Sequence, residues 1–243
     1  MRIPRAYVDH QLRAEQQLNL PDFVSRHLVQ VMRLRVGDKL VLFNGDGRDY
    51  PGEIIEAHRS HVSVQIEEPG ELEPIPPLEI RLGIGISKGE RMDFTLQKSV
   101  ELGATTLTPL LTERSVVRIS GERLAKRQTH WQGVVVAACE QSGRRRMPQL
   151  NQTESLEDWL KVKHPSPLLL DHRGRASFLH LAPPGDTVTL LIGPEGGLAP
   201  RERGLAQAAG FACVRLGPRI LRTETAPLAA LAIVQALWGD MRD

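Results

Sequence analysis

The stretch Val188-Thr189-Leu190-Leu191-Ile192-Gly193-Pro194-Glu195-Gly196-Gly197 decides the fold. A short apolar run of this kind reads as a strand, and it stops abruptly at Gly-Pro. A second run, Cys213-Val214-Arg215-Leu216, stops in the same way at Gly217-Pro218-Arg219-Ile220-Leu221-Arg222-Thr223-Glu224-Thr225-Ala226. Glycine lets the backbone approach a ligand closely, and proline fixes a dihedral and removes a donor, so both loops read as rigid and ligand-facing. In parallel α/β sheets, sites lie beyond the carboxyl ends of the strands.

Working outward, the pattern on both sides alternates strand with helix. Residues 200–209 and 225–238 read as helices around a strand at 212–216. Upstream, strands are expected at 79–86, 106–111 and 167–171. Helices are expected through Met92, Leu96, Val100 and a glycine stop at Gly103, and again over 121–139. This alternation implies an α/β domain with a mostly parallel sheet and helices on both faces.

The first seventy residues follow a different rule. Val24, Leu28, Val31 and Met32 give one apolar helical face, stopped by Gly37. Strand-like runs follow at 39–43, 49–57 and 61–67, with Asn44-Gly45-Asp46-Gly47 as a hairpin turn. Closely spaced strands around one short helix predict a small β-barrel over residues 1–70. The acids and prolines from Glu67 to Pro77 read as a stiff linker. The boundary is placed at 71–77, and the α/β domain at 78–243.

Composition excludes several classes. With 31 basic against 29 acidic residues, the chain is no polyelectrolyte, so any nucleic-acid surface must be local. Two cysteines cannot build a disulfide framework, the amino-terminal residues carry no apolar signal core, and the apolar window 226–238 is too short to span a bilayer. The expectation is a cytoplasmic protein without a membrane segment. The histidines show no HExxH or other paired spacing and the cysteines no CxxC, so no metal is expected. Phosphate-cradling motifs of the GxGxxG and GxxxxGK[ST] type are absent, and Glu195 would repel an anion, so a neutral or cationic ligand fits the first loop better. Taken alone, GPEGG is better explained as a tight turn into a helix whose first turn holds Pro200 and Glu202; paired with the 216–226 loop it is not.

The two loops together resemble those of the knotted SPOUT methyltransferases, and more closely the RsmE-type enzymes that methylate a uridine of small-subunit ribosomal RNA at ring nitrogen N3. Ser87-Lys88-Gly89-Glu90-Arg91-Met92, Gln97-Lys98-Ser99-Val100-Glu101-Leu102-Gly103 and Ala138-Cys139-Glu140-Gln141-Ser142-Gly143-Arg144 match the same family pattern, so the resemblance covers essentially the whole chain. It implies a trefoil-knotted carboxyl-terminal domain, a PUA-like RNA-binding barrel, a homodimer, and 16S ribosomal RNA or the assembled small subunit as partner. Its implied cofactor is S-adenosyl-L-methionine, held by Leu170, Ile192, Gly193, Gly197, Leu216, Gly217, Ile220, Leu221 and Thr223.

Methylating uridine N3 requires removing an imide proton or stabilising the anion as it forms. Glu195 and Glu224 are the candidate carboxylates, and Arg219 and Arg222 the candidate cations. Thr223, Thr225 and Glu224 can also be read as ordinary residues of a helix start. For RNA, the run Arg144-Arg145-Arg146 is the leading local patch, joined by Arg2, Arg5, Arg33, Lys88 and Arg91, because arginine pairs with phosphate and stacks on bases. Lys98 pairs equally well with Glu101 on its own helix. Two other functions stay open on sequence: a non-catalytic RNA-binding knot protein, and a related ribose 2′-O-methyltransferase.

Overall fold

The structure, a computed structural model, describes residues 3–115 and 121–242, so Arg2 lies outside the described residues. The chain divides into two units, Met1–Ile75 with Cys139–Met147, and Pro76–Ala138 with Pro148–Asp243.

The first unit holds β1 (Arg5–Tyr7), β2 (Gln17–Asn19), α1 (Asp22–Arg26), β3 (Lys39–Phe43), β4 (Tyr50–Ala57) and β5 (Val62–Ile66). Its strands pair in the order β1-β3-β4-β5-β2, with β1 parallel to β3 and the other pairs antiparallel. Alternate residues of the strands, Leu40, Leu42, Ile54, Val64 and Ile66 among them, point into one core with Leu28. The expected turn is present: Asn44 Oδ1 accepts the Asp46 N–H, and Gly45 and Gly47 take φ of 91° and 99°, a region that favours glycine.

The single helical face expected through Val24, Leu28, Val31 and Met32 is corrected. After α1 the chain widens into a π-helical turn, His27–Val31, in which the Met32 N–H reaches the His27 carbonyl. The wider turn breaks the 3.6-residue period. Leu28 is therefore fully buried while Val31 and Met32 are exposed.

The acidic, proline-rich stretch after β5 is pinned along its first part. Gly70 N–H bonds to the Asp49 carbonyl and Glu73 N–H to that of Gly47, each at 2.7 Å. The Glu73 carboxylate accepts the N–H groups of both Arg145 and Arg146.

The second unit contains β6 (Glu79–Gly85), α2 (Glu90–Glu101), β7 (Thr106–Leu111), α3 (Gly121–Ser142, whose last residues group with the first unit), β8 (Gln149–Leu150), β9 (Glu154–Ser155), α4 (Leu156–Trp159), β10 (Pro167–Leu170), β11 (Thr187–Ile192), α5 (Pro200–Ala208), β12 (Ala212–Val214) and α6 (Thr225–Trp238). Every strand pair is parallel, in the order β12-β10-β11-β6-β7-β8, with β9 also on β7. Central β11 is buried along Val188–Ile192, which is why its sequence runs apolar without alternating. α6 buries Ala230, Leu231 and Val234, while Gln235 satisfies its amide on the Leu102 carbonyl and the Asp240 N–H.

Gly83 on β6 makes room for the Trp159 indole: a Cβ there would stand 2.6 Å from Trp159 Cη2 and 2.9 Å from Leu110 Cδ1. Gly83→Ala is expected to destabilise the chain by about 1–3 kcal/mol through overpacking, and Trp159→Phe in the same chain to recover part of that loss. Urea midpoints of the single and double variants check this; an unshifted midpoint for Gly83→Ala would contradict the packing.

Candidate functional site

The site lies at the carboxyl ends of β10, β11 and β12 in the second unit, where a cavity of about 390 Å³ opens. That size is in the range of small-molecule pockets. Three loops line it: Leu170–Arg173 after β10, Gly193–Leu198 after β11, and Arg215–Glu224 after β12. They lie beyond the carboxyl ends of neighbouring parallel strands, the side on which open α/β sheets hold their ligands.

Backbone proximity builds the middle loop. A Cβ on Gly85, the last residue of β6, would meet Pro194 Cδ at 2.5 Å, and one on Gly193 would meet the Leu198 nitrogen at 2.9 Å. Gly197 and Gly217 hold φ of 62° and 74°. The loop then enters α5 as expected, with Pro200 at its first position. Glu202 Oε2 accepts the Ala199 N–H and its Oε1 the Glu113 N–H, which satisfies an almost fully buried carboxylate.

Thr223 ties the third loop to the second. Its hydroxyl donates to the Gly193 carbonyl at 3.1 Å and pairs with the Ser87 hydroxyl at 3.2 Å. The capping role open to Thr223 on sequence is thus not the one it plays. Glu224 stands at the start of α6 with no capping bond from its side chain.

Among the described residues seven arginines line the cavity against the three carboxylates of Asp171, Glu195 and Glu224. Asp171 is held by Arg173 and Arg203, at 3.7 and 3.6 Å, with His172 at 3.5 Å. Glu195 Oε1 accepts the Lys88 N–H at 2.9 Å and Arg91 Nη1 at 3.3 Å, and Arg91 Nε stands 3.9 Å from Glu224 Oε2. Arg219 and Arg222 form no ion pair among the described residues. Burial pushes the Glu195 pKa up, but the Lys88 and Glu195 backbone N–H groups and the Arg91 guanidinium outweigh it, so the carboxyl sits below its ordinary value.

All four residues expected to carry chemistry, Arg219, Arg222, Glu195 and Glu224, line this one cavity, as do Leu170, Ile192, Gly193, Gly197, Leu216, Ile220, Leu221 and Thr223. Gly217 sits in the third loop without lining it. Arg91, placed on sequence with the RNA contacts, lies in the lining, and exposed Lys88 is linked to it through Glu195. Lys98 pairs with Glu101 at 2.7 Å.

The other arginines of the RNA set belong to the first unit. Arg33 is exposed. Arg5 is paired with Asp49 and lies over the Phe43 ring, and its guanidinium donates to the Arg144 carbonyl. Arg145 donates to the Glu71 carbonyl and Arg146 to that of Glu73. Glu140, from the motif that precedes them, accepts the Tyr7 N–H, and burial raises its pKa. Asp171, Arg114 and Arg203 were not visible as site residues in the sequence, because no glycine-proline break marks their segments. Among the described residues no cluster of His, Cys, Asp or Glu is arranged to hold a metal ion, and no helix is long and apolar enough to cross a membrane.

Comparison with known proteins gives the class. Residues 74–235 match the RNA methyltransferase domain family, and residues 20–67 the RNA methyltransferase PUA domain. The chain is an RNA methyltransferase with an amino-terminal PUA-like region. Over 242 residues it is 35% identical to ribosomal RNA small subunit methyltransferase E of Buchnera aphidicola (subsp. Schizaphis graminum), covering 99% of this chain and 98% of that one. The same enzyme from Neisseria gonorrhoeae, solved bound to S-adenosyl methionine, superimposes with a TM-score of 0.91 at 39% identity, over 98% of this chain and 99% of that one. A Legionella pneumophila protein solved with bound SAM gives 0.95 at 38% identity, over 99% and 100%. This chain belongs to the ribosomal RNA small subunit methyltransferase E family.

The Glu195 contacts carry a pH signature. Because its pKa is lower folded than unfolded, its ionised form stabilises the fold above the ordinary carboxylate range, and that contribution fades as pH falls through the folded value. The stability gap between the native chain and Glu195→Gln should therefore be widest near neutrality and narrow under acid. Urea unfolding of both across this range checks it; a gap independent of pH would contradict the assignment.

Proposed function

We propose that this chain transfers a methyl group from S-adenosylmethionine to ring nitrogen N3 of a uridine in 16S ribosomal RNA. The observation that carries the reading is the charge arrangement of the cavity: two guanidiniums without ion pairs among the described residues, Arg219 and Arg222, beside two carboxylates already held by Arg91.

The residues present fit the cofactor. Leu170, Ile192, Leu216 and Leu221, with the 77% exposed Ile220, offer apolar surface to an adenine, and the glycine-built loops bring backbone donors and acceptors close. Glu195 and Glu224 supply negative charge suited to a sulfonium. When bound, S-adenosylmethionine supplies an electrophilic methyl group.

The protein's own part is to hold the uracil and manage its proton. An imide at neutral pH is mostly protonated, so charge building on O2 and O4 must be stabilised as N3 becomes nucleophilic. In this reading Arg222, with Arg219 of the same loop, does so by donating to those oxygens. Glu195 already accepts the Lys88 N–H and the Arg91 guanidinium, which leaves Glu224 as the candidate proton acceptor. The excess of arginine around the cavity favours approach of an RNA phosphate chain.

In the same reading the second unit is a trefoil-knotted SPOUT domain and the first a PUA-like barrel that binds RNA, with Arg33 and Arg144–Arg146 contributing to that surface. The protein works in the cytoplasm as a homodimer. Support for the dimer comes from α6, whose Leu228, Ile233, Leu237 and Trp238 remain only partly covered after its inner face is buried.

Mass analysis of nucleosides from 16S RNA incubated with the protein and cofactor should find 3-methyluridine; methylation at a ribose hydroxyl instead would overturn the assignment. In that assay Arg222→Ala should bind cofactor and RNA nearly normally while losing about 2–4 kcal/mol of transition-state stabilisation, partly regained at higher pH as the uridine anion forms unaided. Near-normal turnover by this variant would move the role elsewhere.

A further inference from the structure

A carboxylate away from water takes the nearest cation available, because an unpaired buried charge is expensive. In this cavity that rule should join Glu224 to Arg222, two residues earlier in the same loop, or to Arg219. Neither pair forms among the described residues. Instead Arg91, from the first turn of α2, stands between the two acidic loop residues, with Nη1 at 3.3 Å from Glu195 Oε1 and Nε at 3.9 Å from Glu224 Oε2. Among the described residues Glu195 Oε2 and Glu224 Oε2 are buried without a hydrogen-bond partner, so both carboxylates retain acceptor capacity that another guanidinium would fill.

The sites are coupled through the backbone as well. Lys88 N–H and Arg91 Nη1 end on the same oxygen of Glu195, so the segment from Ser87 to the start of α2 is fastened to the Gly193–Leu198 loop at two points. Ser87 also meets Thr223 in the third loop. Arg91 thus belongs to a segment that touches the Gly193–Leu198 loop by side chain and main chain and the Arg215–Glu224 loop by side chain.

We propose that Arg91 is a positioning residue that sorts the charges of the cavity: by holding Glu195 and Glu224 together it leaves Arg219 and Arg222 unpaired for the RNA base. It acts through these carboxylates and makes no contact with the reacting atoms. Without it, Glu224 draws Arg222 into an internal pair and the guanidinium is lost to the substrate. The inference rests on the proposed roles of Arg222 and Glu224.

The test is a double-mutant cycle on the full-length protein. Arg91→Ala should lower kcat by roughly tenfold to a hundredfold, the scale for misplacing a reactive group, with the dissociation constant for S-adenosylmethionine changed much less. Arg91→Lys, which keeps the charge and loses the fork, should recover part of kcat. Combining Arg91→Ala with Glu224→Gln or with Glu195→Gln should cost no more than the worse single change, since both act on one network. Strictly additive losses, or a flattened salt dependence of RNA binding at unchanged kcat, would overturn the inference by making Arg91 a direct phosphate contact. If a calorimetric titration shows that the native chain binds no S-adenosylmethionine, the functional reading itself fails, an outcome distinct from failure of the cycle.

Discussion

Everything in the site depends on how closely two pieces of main chain approach each other at the end of the sheet. Gly85 closes β6 directly against Pro194, and a single methyl group on it would collide with both the proline ring and its nitrogen. Gly193 is packed as tightly on Leu198 and Gly197. Side chains cannot enter such a contact, so the close approach requires glycine at both positions. Once it is in place, its Gly193 carbonyl can receive the Thr223 hydroxyl, and the loop after β12 is drawn in beside it.

From that packing follows the electrostatics. Two acidic side chains are brought near each other within one rim of arginines, and a single guanidinium from α2 serves both. A cation-binding and an anion-binding character are therefore present side by side. A sulfonium donor and a polyanionic acceptor, which a methyl transfer to RNA must bring together, place this pair of demands on a pocket.

Much of this was legible in the sequence. The run 188–192 and its stop at Gly193-Pro194 gave β11 and its loop almost to the residue, and α6 begins and ends where the apolar spacing places it. What was missed has physical causes. β1 and β2 are three residues each, β8 and β9 two, too short for alternation to show, and they owe their existence to neighbouring strands. The π-helical turn after α1 breaks the period on which a helical reading rests. Glu73 lies more than seventy residues from Arg146 in sequence, so nothing local reveals that the basic run is met by a carboxylate and carbonyls of the acidic stretch. The role of Arg91 was hidden for the same reason: a lone arginine in a helix's first turn reads as surface charge until the loops around it are in place.

The central claim is that the loops after β10, β11 and β12 seat the methyl donor. Hydrogen–deuterium exchange of the full-length protein with and without saturating S-adenosylmethionine tests it most directly, because it reports where the ligand orders the backbone. The account predicts slowed exchange concentrated in Leu170–Arg173, Gly193–Leu198 and Arg215–Leu221, with the five-stranded sheet of the first unit little changed. Protection confined to the first unit, or binding that leaves these three loops exchanging as before, would contradict it.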